Sequence, residues 1–248
     1  ILPQSYRVPQ AVQQIADQIL NRIPDNRRIK KQWASRPEGG SVEHVTSIED
    51  VPLHQSDWLI LARTNDKLIK LKSILQEMAI YFEIKGRKSY KTRLYTAVKH
   101  YTRWQQGDLL SLSEVKDVLE QTGTELDPFP KEERMYDLTE FDFYKSHDWY
   151  EVFTQDPEEC LYIREMLRNK EELSKPARVK LSTIHAAKGG EATNILLILD
   201  NTKKIREAVD KSEDKHDEEH RVWYVGVTRT KQNLYIMTPQ REDRSYDI

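Results

Sequence analysis

Three short segments gather side chains able to bind phosphate. The richest is Leu181-Ser182-Thr183-Ile184-His185-Ala186-Ala187-Lys188-Gly189-Gly190-Glu191, which sets a hydroxyl, an imidazole, an ammonium and two glycines close together after an apolar run. Small residues let a polyanion approach the backbone, and Thr183, His185 and Lys188 can reach phosphate oxygens. Read without a ligand, the same stretch is an ordinary strand-to-helix loop with an incidental His and Lys. The second segment, Glu218-Glu219-His220-Arg221-Val222-Trp223-Tyr224-Val225-Gly226-Val227-Thr228-Arg229-Thr230, carries Arg229 near the end of a predicted helix. A cation suits a helix C-terminus, so Arg229 is either a terminal charge or a planar guanidinium aimed at a phosphoryl group. Gly226 is costly inside a helix and implies close packing or a break. The third, Gln4-Ser5-Tyr6-Arg7-Val8-Pro9, puts an aromatic ring and an arginine just before an amphipathic pattern.

The elements that must position these groups follow from periodicity. Val12, Ile15, Ala16, Ile19, Leu20 and Ile23 recur at helical spacing, and Pro24-Asp25-Asn26 stops that helix. Ser41–Thr46 predicts a short strand. Asp57–Arg63 is nearly continuous apolar residues, the pattern of a strand covered on both faces. Asn65 and Asp66 can cap a helix whose inner side is Leu68, Leu71, Leu75 and Met78, and Tyr81–Ile84 predicts the next strand. The alternation returns with strands at Arg178–Ile184, Asn194–Leu199 and Asn233–Met237, and a helix from His216 to Thr230. The acidic stretch Glu207–Glu219 is expected as a surface loop running into that helix. Alternating strands and helices predict a parallel sheet with helices on both faces. Residues 86–177 show helical spacing instead, and predict a mostly helical insertion that splits the α/β domain into residues 1–85 and 178–248.

Composition narrows the rest. The chain has 248 residues, 32% charged and 38% hydrophobic, and a formal charge of −2. That balance disfavours a strongly basic, non-specific nucleic-acid binder, although a local basic strip remains compatible with it. A single cysteine, Cys160, excludes an internal disulfide and a cysteine-rich zinc site. No apolar run approaches the ~20 residues of a membrane span, so no membrane partner is expected, and a cytoplasmic setting is. The start at Ile1-Leu2-Pro3 reads as an internal point of a longer protein.

In order and spacing, the segments resemble the second half of UvrD/Rep/PcrA-type superfamily 1 DNA helicases. Ser5-Tyr6-Arg7-Val8 stands where that family has Asn-Tyr-Arg-Ser, and Ala62-Arg63-Thr64-Asn65 matches its strand ending in Arg-Thr-Asn. His185–Glu191 matches His-Ala-Ala-Lys-Gly-Leu-Glu, and Tyr224–Thr230 matches Tyr-Val-Gly-x-Thr-Arg-Ala. The resemblance covers residues 1–85 and 178–240. It implies a RecA-like α/β fold, a parallel sheet flanked by helices, with the insertion as a reduced second subdomain. It also implies roles: Tyr6 stacking on adenine, Arg7 and Arg229 on the γ-phosphate as the catalytic arginines, and Glu191 on the ribose. Thr64, Asn65, Thr183, His185 and Lys188 would lie toward single-stranded DNA. Gly190 in place of Leu is expected to loosen the turn that aims Glu191. Val8-Pro9 in place of Ser-Thr, and Thr230 in place of Ala, are expected to matter little.

No Gly-x-x-x-x-Gly-Lys-Ser/Thr sequence is present, so this chain cannot itself cradle the β- and γ-phosphates. The resemblance therefore implies ATP with Mg²⁺ held mainly by an N-terminal RecA-like domain of the same protein, and a chain that is inactive alone. No metal ligand set is expected here. The implied partners are that domain and single-stranded DNA or a duplex–single-strand junction, with 3′-to-5′ movement by analogy. The competing reading is a non-catalytic DNA-binding or docking module that keeps the fold.

Overall fold

Two runs dictate the centre of the molecule. Trp58-Leu59-Ile60-Leu61-Ala62 and Ile195-Leu196-Leu197-Ile198 offer no polar face, so both must lie inside a sheet covered on both sides, and all nine residues are buried. The computed structural model describes residues 4–28, 34–36, 39–123, 130–141, 147–187, 189–239 and 245–248, and for residues 4–7 the backbone alone.

In chain order, strand β1 (Gln4–Pro9), helix α1 (Gln10–Asn21) and strand β2 (Ala34–Arg36) come first. Strands β3 (Ser41–Val45) and β4 (Trp58–Ala62), helix α2 (Asn65–Glu77) and strands β5 (Phe82–Ile84) and β6 (Arg87–Lys88) follow. The next stretch is mostly helical: α3 (Thr92–Gln105), β7 (Leu110–Ser111), α4 (Leu112–Thr122), β8 (Met135–Tyr136), α5 (Trp149–Val152) and α6 (Pro157–Arg168). The last holds β9 (Val179–Thr183), β10 (Ala192–Ile198), α7 (Lys203–Lys211), α8 (Glu213–Val227) and β11 (Thr230–Met237). The chain forms two compact units, one of Ile1–Leu75, Phe82–Arg87 and Pro176–Ile248, the other of Gln76–Tyr81 and Lys88–Lys175.

The first unit is built on a seven-stranded sheet of order β3-β11-β10-β4-β9-β5-β6. The pairs β3/β11, β11/β10, β10/β4, β4/β9 and β9/β5 are all parallel. After β4 the chain moves toward β5; after β10 it moves the opposite way, to β11. Right-handed crossovers in opposite directions place their helices on opposite faces. On one face α1 (Val12, Ala16, Ile19) and α8 (Trp223, Val227) cover Leu59, Leu61, Ile195, Leu197, Leu234 and Ile236. Alternate residues such as Ile60 and Leu196 point to the other face, as the period of two requires. This is the expected α/β, RecA-like architecture.

The acidic stretch departs from the expected elements. Residues Glu207–Glu219 are not a loop running into a helix: α7 ends at Lys211 and α8 begins at Glu213. Thr202 Oγ1 accepts from Ile205 N and Ser212 Oγ from Lys215 N, so each helix has a hydroxyl N-cap. Glu213 and Asp214 in the first turn of α8 also suit its positive end. In addition, β1 pairs in parallel with β2 as a separate two-stranded sheet.

The second unit packs α3 against α4. Ser111 and Glu114 form a capping box at the start of α4, and Gly123, at φ 67°, ends it in the left-handed region. Trp104 is buried and donates from Nε1 to the Tyr136 carbonyl at 3.2 Å. Asp156 caps α6, with Pro157 in its first turn.

Candidate functional site

Parallel strands give the sheet two chemically distinct rims: the rim where strands begin and the rim where they end. With seven residues in β10, the two lie about 23 Å apart.

At the starting rim, Arg229 occupies the two-residue turn between α8 and β11. Thr228 Oγ1 donates to the Tyr224 carbonyl at 2.9 Å, and Thr230 Oγ1 to the Val227 carbonyl at 2.8 Å. These bonds fasten the helix end on both sides of the arginine. Thr230, expected to be of little consequence, is fully buried and closes the last turn of α8. The Arg229 guanidinium donates from Nε to the Val225 carbonyl at 3.2 Å and from Nη1 to the Gly190 carbonyl at 3.4 Å. Gly190, where the turn is expected to be loosened, also bonds the Ala187 carbonyl through its N–H at 2.8 Å. Glu191, exposed beside it, meets Lys231 Nζ at 2.7 Å. Arg229 and Glu191 therefore come to one place. The β1 backbone, which carries Tyr6 and Arg7, runs beside β11. Arg36 of β2 ties that pair down by donating to the Lys231 carbonyl at 3.0 Å. The side chains of Tyr6 and Arg7 lie outside the described residues.

The ending rim collects the other set. Ala62 and Thr183 are register partners at the ends of β4 and β9, and Ile184 N donates to the Ala62 carbonyl at 3.0 Å. Thr64 and Asn65 follow the first strand, and Thr183 and His185 belong to the second. Thr183 Oγ1 accepts from Ala186 N at 3.3 Å and its carbonyl from Ala187 N at 3.0 Å, which closes the turn presenting His185. His185 and Asn65 are exposed. Thr64 Oγ1 is buried with no hydrogen-bond partner among the described residues. Lys188 lies outside them.

One contact escaped sequence reasoning. Arg63, between β4 and Thr64, sits in a bidentate pair with Glu219 of α8 at 2.9–3.0 Å. Trp223 Nε1 donates to the same carboxylate at 2.7 Å. Arg63 also places Nη1 3.4 Å from His185 Nδ1. Both partners stood inside recognised segments, yet only folding joins positions 156 apart.

A second network braces α8 from the C-terminal residues. Tyr246 N donates to the Leu199 carbonyl, and its ring stacks on Trp223 with centroids 4.7 Å apart. His220 bonds Tyr246 through Nδ1 and His216 through Nε2. Burial, then the nearby His216 and Arg22 charges, pushes His220 down to about 4, and burial pushes the Tyr246 phenol up. At the start of β10, Asp57 accepts from Thr193 N at 2.9 Å and from its hydroxyl. Burial opposes ionisation there, but the Thr193 bonds outweigh it and hold the carboxyl below its ordinary range.

Among the described residues no group of three or more His, Cys, Asp or Glu could hold a metal. Burial pushes the Cys160 thiol up to about 11, which leaves it a poor nucleophile. No helix of the described residues is long and apolar enough to cross a membrane. The chemistry on offer is anion binding, by a fixed guanidinium at one rim and by hydroxyl, amide and imidazole donors at the other. A family model described as the UvrD-like helicase C-terminal domain matches residues 109–241. That range includes Thr183, His185, Lys188, Glu191 and Arg229; Tyr6, Arg7, Thr64 and Asn65 lie before it. A comparison with curated proteins finds no match.

Proposed function

Because the chain belongs to the UvrD-like helicase C-terminal domain family, we propose that it is the second motor domain of an ATP-dependent DNA helicase. In this reading the starting rim is one wall of an ATP site shared with an N-terminal RecA-like domain of the same protein. The ending rim is part of a single-strand track. The observation that carries it is the bond from Arg229 to the Gly190 carbonyl, which sets Arg229 beside Glu191 across 39 positions of sequence.

Arg229 and Arg7 would hold the γ-phosphate, Tyr6 the adenine and Glu191 the ribose. The Mg²⁺ would be held mainly by the N-terminal domain. ATP supplies a phosphoanhydride whose cleavage lowers the negative charge facing this wall. Arg229 and Arg7 are drawn more strongly to the larger charge, so the wall closes before cleavage and relaxes after it. Thr64, Asn65, Thr183, His185 and Lys188 move with the wall and meet DNA backbone rather than base edges, which makes the contact independent of sequence. The two compact units serve as motor domain and reduced second subdomain.

The test is Arg229→Ala in the full-length protein. DNA-stimulated ATP hydrolysis should fall by about 10³-fold or more, as for other arginines supplied across a cleft, while the melting temperature holds. Ordinary turnover in that variant removes the assignment. The 248-residue chain alone should hydrolyse no ATP, and steady turnover by the pure chain overturns the reading. Strand binding by a full-length protein that hydrolyses no ATP would favour the docking module instead.

A further inference from the structure

Arg63 has no part in the roles above, yet at the ending rim it makes three bonds to one carboxylate. Its side chain retains 16% of its accessible surface and that of Glu219 5%. Both Glu219 oxygens lie 3.0 Å from Nε, and Nη2 lies 2.9 Å from one of them. With Trp223 also on the carboxylate, the plane of the guanidinium is fixed. Its other terminal nitrogen, Nη1, faces His185 Nδ1 at 3.4 Å. The turn under His185 is itself closed by Thr183 and by the bond from Ile184 N to Ala62. Glu218, the other carboxylate that feels both Arg63 and His185, is engaged by Lys215 at 2.6 Å.

A guanidinium can only donate. Nδ1 facing Arg63 must therefore accept, and a neutral imidazole then carries its proton on Nε2. We propose that Arg63, anchored by Glu219, is a positioning residue that locks His185 in the Nε2–H tautomer, so that it offers a DNA phosphate a donor and not a lone pair. The inference rests on the strand-contact reading of His185. It adds that this contact is set from behind by an ion pair touching no DNA.

Nitrogen-15 NMR of the imidazoles in the 248-residue chain reads the tautomer without DNA. The wild-type chain should show His185 protonated on Nε2. Arg63→Lys keeps the charge opposite Glu219 but loses the planar fork, and should show a mixture of tautomers. Anisotropy with fluorescein-labelled oligothymidylate reads the consequence: Arg63→Lys and His185→Ala should each weaken binding about five- to tenfold. The double variant should lose no more than His185→Ala alone, because both changes remove one contact. An Nδ1–H tautomer in the wild-type chain, an unchanged tautomer in Arg63→Lys, or losses that multiply would each overturn the inference. The wild-type spectrum decides even if Arg63→Lys folds poorly. Should His185→Ala bind oligothymidylate as tightly as wild type, the strand-contact reading fails and takes this inference with it. A loss in His185→Ala beside the wrong tautomer sinks the inference alone.

Discussion

Arg63 and Arg229 stand at opposite ends of one sheet, and their acceptors differ in kind. Arg63 is answered by a buried carboxylate, Glu219, through three bonds of 2.9–3.0 Å. Arg229 donates to two main-chain carbonyls, those of Val225 and Gly190, at 3.2 and 3.4 Å. A carboxylate both orients a guanidinium and cancels its charge, whereas a carbonyl dipole chiefly orients it. The same side chain is thereby bound to a carboxylate at one rim and to the main chain at the other. The acceptor tells them apart; residue type does not.

The largest expected effect tests the frame. Glu219→Ala leaves Arg63, 16% exposed, without its carboxylate and the buried Trp223 without its acceptor, and should lower unfolding free energy by about 3–5 kcal/mol in urea titrations. A loss below about 1 kcal/mol would mean that Arg63 is not structurally committed, and the contrast would dissolve. Next comes Gly226, where α8 lies against the sheet between the two arginines. A Cβ there would stand 3.1 Å from Leu197 Cδ1 and 3.4 Å from Ile184 Cδ1. Gly226→Val should therefore shift the urea midpoint by the equivalent of about 2 kcal/mol; a neutral result would show that α8 can slide and that neither arginine is firmly placed.

A smaller effect comes from His220, which braces the same helix. Its folded value of about 4 lies below the ordinary 6.5, so between those values the unfolded chain binds the extra proton. Stability should be intact above about pH 6.5 and decline toward pH 4, by on the order of 1–2 kcal/mol once the roughly 3 kcal/mol of the full shift is discounted for solvent screening. His220→Gln should flatten that slope, and an unaltered slope would place its origin elsewhere. The smallest effect belongs to Arg229→Lys. Stability should stay within about 0.5 kcal/mol of wild type, because its two bonds to part-buried carbonyls are long, at 3.2 and 3.4 Å. A loss comparable to that of Glu219→Ala would erase the distinction between the rims.

The frame was legible where one physical signal dominated. Strands β4 and β10 announce themselves by uninterrupted apolar residues, and α1 by its spacing. Helix α7 was not legible, because it buries no residue and its sign is a capping Thr202 rather than an apolar stripe. The candidate residues fall into two groups by strand end, and sequence order hides this: Thr64 and Thr183 become neighbours only through the pairing of Ala62 with Thr183. The Arg63–Glu219 pair had no local signal, since each partner alone reads as a surface charge. Thr230 was discounted because its worth lies in a hydroxyl bond made only once the helix has ended.

The two threonine hydroxyls flanking Arg229 carry a further consequence. Helix ends ordinarily fray, and an arginine on a fraying turn samples many directions. Here Thr228 and Thr230 each return a bond to the final turn of α8. The entropy of confining that corner is surrendered once, when the chain folds, and not again with each arriving anion. A guanidinium so preorganised can respond to charge without first having to find its place.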